Sequence, residues 1–287
     1  MQFKTLLIPL FAVASVVFST GAAPCPMWVG SETELLKIEQ GSNIVWRTTQ
    51  GIVRDVHQLP NGHILYTHNT PGKKDPVDPQ CGVRELDAEG RTCWEYEMEG
   101  RYILSCHRMK NGNTLIGASL KGAVFIVNPA GEILHTLKVR GNHTKHSINK
   151  VRELENGNLL ILEADCDFVT EYTLDGDVVW EYPVPLLAFQ AERLPNGNTL
   201  ISGREGIIEV SPAKEIVWKL SHEDVPEAGS RWFTGFDIRE NGNLVVMSPK
   251  GETPIFEVTR DKQVVWKTSL TPKQLGLANG LFLIEDN

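Results

Sequence analysis

The sequence lacks an excess of positive charge. Its 287 residues carry a formal net charge of −8, and its pI is near 5.5. Proteins that bind nucleic acids need basic surfaces that displace counterions from phosphates, and proteins that bind anionic lipids need basic clusters. We therefore expect no nucleic-acid partner and no binding to an anionic membrane surface.

Long apolar runs are also scarce, and the only candidate lies at the N-terminus. Residues 6–18 form an apolar run that is too short to span a bilayer; Lys4 precedes it, and the small residues of 19–23 follow it. This order is typical of a signal peptide over residues 1–23, cleaved after Ala23. We expect a secreted or periplasmic protein without a membrane span, and a single domain over residues 24–287.

Cysteine and histidine motifs of metal sites are missing. The odd number of cysteines leaves at least one without an intramolecular partner, and their pairing stays open. The five are Cys25, Cys81, Cys93, Cys106 and Cys166. The sequence contains no CxxC motif and no spacing of Cys and His that is typical of a zinc site. No Asp or Glu stands at a spacing that would place it beside His107, His143 and His146. The sequence predicts no metal site, and it identifies no cofactor.

An internal repeat organises the chain. A phrase of the type "RLPNGNTLIS" recurs with its Asn at Asn61, Asn111, Asn156, Asn196 and Asn241, and in a reduced form at Asn279. A period near 40–45 residues indicates one supersecondary unit copied in a row, whose apolar faces are buried against neighbouring copies.

Each repeat predicts four short antiparallel strands. Asn-Gly between β-forming residues indicates a hairpin with a type I′ turn, in which both central residues have positive φ. About 25 residues later a second hairpin follows, as in "TEYTLDGDVVWEYPV", and its last strand carries a tryptophan. These residues are Trp46, Trp94, Trp180, Trp218 and Trp266, with His135 at the same place in one repeat. Because they recur in the outer hairpin, we expect them to pack between adjacent units.

The two ends of the chain complement each other. The first segment has a tryptophan hairpin without an Asn-Gly hairpin, and the last segment has an Asn-Gly hairpin without a tryptophan hairpin. Together they complete one sheet and remove the open edge that a linear array would leave. The prediction is an all-β protein, a six-bladed β-propeller with four antiparallel strands per blade and a last blade closed by N- and C-terminal strands.

Ionisable residues recur on the strand that precedes each Asn-Gly turn, which is the innermost strand of a blade. Four residues before the turn stand His57, His107, Arg152, Glu192 and Asp237, with Leu275 in the sixth repeat. Two residues earlier, on the same strand face, stand Asp55, Ser105, Lys150, Gln190 and Gly235. We expect these residues to surround a small axial opening, where they could bind an anionic or zwitterionic molecule or transfer protons through His57 and His107.

A structural role explains the same pattern. Ionisable residues of both signs near an axis can neutralise one another through hydrogen bonds, without a ligand. The fold alone does not decide between these alternatives.

The repeats resemble those of PQQ-like propellers and, more narrowly, the arylsulfotransferase-like group of secreted propellers. The phrases that carry the resemblance are "RLPNGNTLIS", "LENGNLLILE", "LDAEGRTCWEY" and "LDGDVVWEY". The resemblance implies an exported propeller with a funnel-shaped central site, where histidines and an arginine handle a sulfuryl group. The chain departs from those enzymes because Arg54-Asp55 stands where they often have a His-Asp pair. We also expect no added N-terminal domain of the kind that several of them carry.

Two functions from different classes follow. The first is an exported propeller without catalysis that binds a small molecule, a glycan or a protein at its axial face, through Asp55, His57, Ser105, His107, Lys150, Arg152, Gln190, Glu192 and Asp237. The second is an arylsulfotransferase-like enzyme, in which His57 or His107 acts as nucleophile or acid/base and Arg152 holds the anion.

Overall fold

The computed structural model describes residues 25–49, 51–70, 80–100 and 102–284. It confirms the predicted architecture, because the strands form six sheets, each with four antiparallel strands. The predicted signal peptide over residues 1–23 lies outside the described residues. Within the described part of the chain, no helix has the length and apolar character needed to cross a membrane.

The six blades follow one another along the chain, and the strands of each are named from the innermost outward. Blade 1 contains β24 (Gly280–Leu283), β1 (Met27–Gly30), β2 (Glu34–Glu39) and β3 (Asn43–Thr49). Blade 2 contains β4 (Val56–Gln58), β5 (Ile64–Asn69), β6 (Gln80–Leu86) and β7 (Thr92–Glu99). Blade 3 contains β8 (Ile103–Arg108), β9 (Thr114–Ala118), β10 (Ala123–Val127) and β11 (Ile133–Lys138).

The second half of the ring has the same organisation. Blade 4 contains β12 (Lys150–Glu153), β13 (Leu159–Glu163), β14 (Phe168–Tyr172) and β15 (Val178–Pro183). Blade 5 contains β16 (Ala188–Arg193), β17 (Thr199–Gly203), β18 (Gly206–Val210) and β19 (Ile216–Ser221). Blade 6 contains β20 (Gly235–Ile238), β21 (Leu244–Met247), β22 (Ile255–Val258) and β23 (Val264–Lys267). The described helices are short: two 3₁₀ turns, Ser119–Lys121 and Pro226–Ala228, and one α-helix, Pro272–Leu275.

The Asn-Gly turns have a different geometry from the predicted one. Gly62 has a φ of +82°, whereas Asn61 keeps a negative φ. The Gly62 N–H donates to the Leu59 carbonyl at 2.8 Å, and the Leu59 N–H donates to the His63 carbonyl at 2.8 Å. This is a type I turn followed by a left-handed glycine, which forms a G1 bulge. The Asn61 side chain accepts the N–H of His63 at 3.0 Å, so Asn stabilises the turn without a left-handed backbone.

The ring closes through both chain ends, as predicted, but the division of strands differs. Strand β24 pairs with β1, so three strands of blade 1 come from the N-terminal segment and one from the C-terminal segment. The prediction of an Asn-Gly hairpin at Asn279 is wrong, because Gly280 starts β24 and no partner strand follows it in the described chain up to residue 284. Leu275 lies in the helix Pro272–Leu275 and not on an inner strand. The chain at Asn279 resembles the repeat in sequence alone.

Hydrophobic clusters fill the six junctions between neighbouring blades. The predicted position of the tryptophans between blades is confirmed. The indole N–H groups of Trp94, Trp180 and Trp218 donate to carbonyls of outer turns in the next blade, those of Pro129, Pro212 and Arg260, at 3.1, 3.1 and 2.8 Å. Each of these tryptophans therefore fixes the position of the following blade by packing and by one hydrogen bond.

Candidate functional site

The innermost strands of the six blades are sheet edges that face one another around the axis. The pairing registers place one residue of each strand in line with the tryptophan position of its blade; for example, His57 pairs with Leu65, Leu65 with Glu85 and Glu85 with Trp94. In blade 1 the same row runs from Trp46 through Lys37 and Trp28 to Phe282. We call the six equivalent residues the axial ring; they are His57, His107, Arg152, Glu192, Asp237 and Phe282.

The axial ring surrounds a cavity of about 190 Å³ at the end of the propeller where the inner strands lead into their turns. All six ring residues line this cavity, together with Gln190, Phe236, Ile238 and Leu281. The fold therefore does bring the five ionisable residues of the sequence pattern to one place. The aromatic sixth member, Phe282, packs edge-on against the imidazole of His57, with ring centroids 5.9 Å apart.

A buried ionic network lies directly behind this cavity. It connects Arg152 of the axial ring to residues two positions before the ring. We call these residues the buried axial layer; they are Asp55, Ser105, Lys150, Gln190, Gly235 and Gly280. The Asp55 carboxylate, 2% exposed, accepts from the Lys150 ammonium at 2.7 Å and from the two terminal nitrogens of the Arg152 guanidinium at 2.9 and 3.0 Å. Lys150 also reaches the Arg54 carbonyl, near a smaller cavity at the other end of the axis.

Several of these polar side chains satisfy the backbone of the next inner strand. Asp55 accepts the N–H of Cys106, Ser105 accepts the N–H of Val151, and Gln190 accepts the N–H of Phe236, at 3.2, 2.9 and 3.3 Å. Asp237 accepts the N–H of Leu283 in the same way at 2.7 Å. Because an inner strand has no further strand to pair with, its buried N–H groups need such partners. The recurring polar residues thus have a structural role, which was one of the two alternatives for the sequence pattern.

The charges of the network determine its protonation. Burial alone would raise the pKa of the Asp55 carboxyl, but Arg152, Lys150 and His57 together hold this pKa well below its ordinary value. Burial lowers the pKa of Lys150, although Asp55 opposes this shift. For Arg152 burial also acts downward, yet the adjacent Asp55 carboxylate dominates and raises the guanidinium pKa. The Asp55 carboxylate and the Arg152 guanidinium are therefore ionised at neutral pH, and Asp55 binds both Arg152 and Lys150.

The two imidazoles of the cavity are neutral. Burial lowers the pKa of His107 to about 3, and Arg152 and His57 act in the same direction. Burial and Arg152 also lower the pKa of His57, and Asp55 only partly opposes them. The His57 Nε2 lies 3.0 Å from the Cys106 carbonyl and 3.4 Å from Asp55 Oδ1, both of which are acceptors. Nε2 therefore carries the proton, and Nδ1 is the unprotonated nitrogen.

The predicted site residues divide into two groups. His57, His107, Arg152, Gln190, Glu192 and Asp237 line the axial cavity. Asp55, Ser105 and Lys150 lie behind it, with 2%, 0% and 4% exposure, so they position the lining residues. The ion pairs of Asp55 lie between this cavity, which Arg152 lines, and the smaller cavity that Lys150 lines. Sequence reasoning missed the apolar part of the cavity, above all Phe282, whose equivalence becomes visible only from the pairing of β24 with β1.

Comparisons with known proteins support the fold. The sequence matches no protein-family model and no curated protein. A solved protein of unknown function from Bacteroides caccae shares 17% identity and a TM-score of 0.74, over 92% of this chain and 100% of that one. A streptogramin B lyase shares 14% identity and a TM-score of 0.61, over 91% and 88% of the two chains.

A third neighbour is the WD40 β-propeller domain of Doa1, with 12% identity and a TM-score of 0.59, over 77% of this chain and 70% of that one. A further solved structure is a catalytically inactive histidine-to-alanine variant of virginiamycin B lyase from Staphylococcus aureus with quinupristin. It has 11% identity and a TM-score of 0.59, over 87% and 86% of the two chains. At these identities the likeness concerns the β-propeller fold alone. The narrower resemblance to PQQ-like and arylsulfotransferase-like propellers stays a prediction.

Proposed function

We propose that this protein is an exported β-propeller that binds a small molecule carrying an amino or other cationic group in its axial cavity. Export is inferred from the N-terminal residues 1–23. The observation that carries the ligand class is the distribution of charge around the cavity. Both cations of the network are paired with Asp55, whereas Glu192 is 37% exposed and two neutral imidazoles line the wall. The nearest contact of Glu192 with Arg152 is long, at 3.6 Å, so its carboxylate can still accept from a ligand.

The size of the cavity limits the ligand. Pockets for drug-sized molecules span roughly 300–1,000 Å³, and this cavity of about 190 Å³ is smaller. It suits a compact organic molecule better than a glycan chain or a protein loop. Phe282 and Leu281 offer an apolar surface, while Glu192 and the Nδ1 lone pair of His57 accept hydrogen bonds. An ammonium group with a short carbon skeleton uses both kinds of surface.

The test is ligand-induced thermal stabilisation with probes of opposite charge. We expect small amines such as choline and ethanolamine to raise the melting temperature of the purified protein, and sulfate and acetate to have no such effect. A ligand that binds only the folded state stabilises it by mass action. The variant Glu192→Gln should lose the response, whereas Glu205→Gln, which removes an exposed carboxylate of the same blade, should retain it. A stronger response to anions than to amines would contradict the proposal.

The second candidate is histidine catalysis. It is favoured by the hydrogen-bond contacts of His57 with Asp55 and Cys106, which hold its ring with an unprotonated Nδ1. In virginiamycin B lyase the replacement of one histidine by alanine is described as inactivating, so a histidine matters in that protein. Sulfuryl transfer is less well supported, because the Arg152 donors that would hold the anion contact Asp55, Ser105 and backbone carbonyls.

An aryl sulfate assay with a phenol acceptor separates the two candidates. If the wild-type protein shows turnover and both His57→Ala and His107→Ala lose it, the protein is a sulfuryl-transfer enzyme and the binding proposal is wrong. Absence of turnover together with amine binding would support the binding protein.

A further inference from the structure

Blade 2 departs from the repeat at two positions that meet in space. In the other blades that contain the Asn-Gly turn, an asparagine follows the glycine; blade 2 has His63 there. At the residue before the tryptophan position, the other blades carry exposed aliphatic residues, and blade 2 has Cys93. The aliphatic residues are Val45, Leu134, Val179, Val217 and Val265, which are 44–57% exposed.

The contact between His63 and Glu85 has equivalents in other blades. In blades 4, 5 and 6 the asparagine amide donates to a glutamate of the third strand, at 2.8, 2.6 and 2.6 Å. In blade 2 the His63 Nδ1 contacts Glu85 Oε1 at the equivalent place, at 2.6 Å. The other oxygen of Glu85 accepts from Arg108 at 2.7 Å, and Glu171 and Glu257 have similar arginine partners. Glu85 and Arg108 thus belong to the repeat, and only His63 and Cys93 are special to blade 2.

The thiol of Cys93 lies beside the same nitrogen of His63. The Cys93 Sγ lies 3.5 Å from the His63 Nδ1. The Nδ1, the Glu85 oxygen and the sulfur all lie within 4.8 Å of one another. Among the described residues, no other group of three such ligands converges in this way.

The shared nitrogen excludes a catalytic relay of the Cys-His-Glu type. In such a relay the two ring nitrogens have separate partners, because one accepts the thiol proton while the other donates to the carboxylate. Here both Cys93 and Glu85 contact Nδ1. Convergence of a sulfur, a nitrogen and an oxygen on one point is instead the arrangement of ligands around a metal ion.

We propose that His63, Glu85 and Cys93 form a binding site for a soft divalent cation of the Zn²⁺ type. Around a tetrahedral Zn²⁺, bonds of about 2.0–2.1 Å to nitrogen and about 2.3 Å to sulfur separate these two atoms by about 3.5 Å. The observed separation of sulfur and nitrogen is 3.5 Å. The carboxylate oxygen has only to move away from Nδ1 as the ion replaces the proton between them. A water molecule supplies the fourth ligand.

Burial and second contacts suit this role. Glu85 has 8% side-chain exposure and is held by Arg108, while His63 has 28% and Cys93 is exposed, so an ion can enter from solvent. Binding converts the Cys93 thiol to a thiolate and releases one proton, and the His63 proton moves from Nδ1 to Nε2. Because the ion competes with the thiol proton of Cys93, affinity should increase with pH.

The repeat itself supplies the test variants. We expect the reduced, purified protein to bind Co²⁺ with a thiolate-to-metal absorption band, and Zn²⁺ to displace the Co²⁺ and to raise the melting temperature. Cys93→Val introduces the residue of blades 4, 5 and 6 and should abolish the band. His63→Asn introduces the residue of blades 3 to 6 and should weaken binding at least about tenfold.

The control is Cys166→Ser, which removes a half-buried thiol in blade 4 and should leave the band unchanged. Both test variants should fold, because their residues already occupy the same turn and the same strand position elsewhere in the ring. Their melting curves without metal verify this. The proposal is overturned if the wild-type protein shows no band and no stabilisation by Zn²⁺. It is also overturned if the band persists in folded Cys93→Val and His63→Asn.

Discussion

At the scale of single residues, the axial ring places neutral histidines where an open cavity meets a buried ionic network. Each histidine keeps its charge-free state because protonation would add a cation beside Arg152 in a poorly hydrated space. The same arrangement makes the stability of the folded protein sensitive to pH.

His107 should lower stability as the solution is acidified. Its pKa is about 3 in the folded protein and about 6.5 in the unfolded chain, so between these values the unfolded state binds the additional proton. The free energy of unfolding therefore falls as pH drops from 6.5 towards 3, with a contribution of up to about 1.4 kcal/mol per pH unit, the limit for one proton. His107→Phe, which copies Phe282 of blade 1, should flatten this dependence in denaturant titrations at several pH values.

The matched control is His135→Phe, which changes an exposed histidine of the same blade. It should preserve the pH dependence of the wild-type protein. An equal slope for His107→Phe and the wild-type protein would show that His107 is protonated alike in both states.

At the scale of elements, the outer hairpins connect neighbouring blades. In blade 5 the Trp218 indole donates to the Arg260 carbonyl of blade 6 at 2.8 Å, and the Arg260 guanidinium lies 4.2 Å from the centre of the Trp218 ring. In blade 3 the equivalent residue, His135, is exposed. The same element thus connects blades strongly at some junctions and weakly at another.

Trp218→Ala should lower the free energy of unfolding by about 2–3 kcal/mol, which is less than the full cost for a completely buried tryptophan, since part of the ring is exposed. Chemical denaturation measures this change. His135→Ala is the control at the same strand position and should change stability by less than about 0.5 kcal/mol. Equal effects of the two substitutions would contradict a bridging role for the tryptophans.

The sequence predicts the elements well, because each motif occurs in several copies that can be compared with one another. Five copies of the Asn-Gly turn and five tryptophans identify the strands and the junctions. The turn type was wrong because Asn stabilises a type I turn through its side chain as readily as it adopts a left-handed backbone. The predicted contribution of the C-terminal segment to blade 1 was wrong because Asn279-Gly280 has the same sequence as the turns. Gly280 instead pairs with β1 and is part of a strand.

The candidate sites were only partly predictable. The alternating pattern identified five members of the axial ring, but it could not show that Asp55 engages Lys150 and Arg152, since this depends on side-chain directions across three blades. His63, Glu85 and Cys93 are far apart in sequence and follow no metal-binding spacing. A comparison of repeat positions across the blades would have shown His63 and Cys93 as exceptions.

At the scale of the whole molecule, the ring depends on a single strand. Strand β24 pairs with β1, lies beside β4 and β20, and provides Phe282 to the axial ring. Its Leu283 N–H is bound by Asp237 of blade 6 at 2.7 Å. One short strand thus connects the last blade, the first blade and the cavity.

A chain that ends at Ala278 should lose the cooperative unfolding of the ring and expose the inner edge of blade 1. Its unpaired edge and the apolar surface of β1 should bind hydrophobic dyes and promote association, which light scattering detects. A chain that ends at Ile284 keeps β24 and serves as the control. A cooperative, monomeric protein without β24 would show that the other strands suffice.

The position of β24 also has a consequence for biosynthesis. Every other described strand leaves the ribosome before it, so a growing chain can assemble five blades and still possess no finished cavity. The cavity acquires Phe282 and Leu281 only when this last strand joins β1. A ligand that requires Phe282 will therefore select completed molecules, and chains trimmed at the C-terminal side by a protease will not retain it.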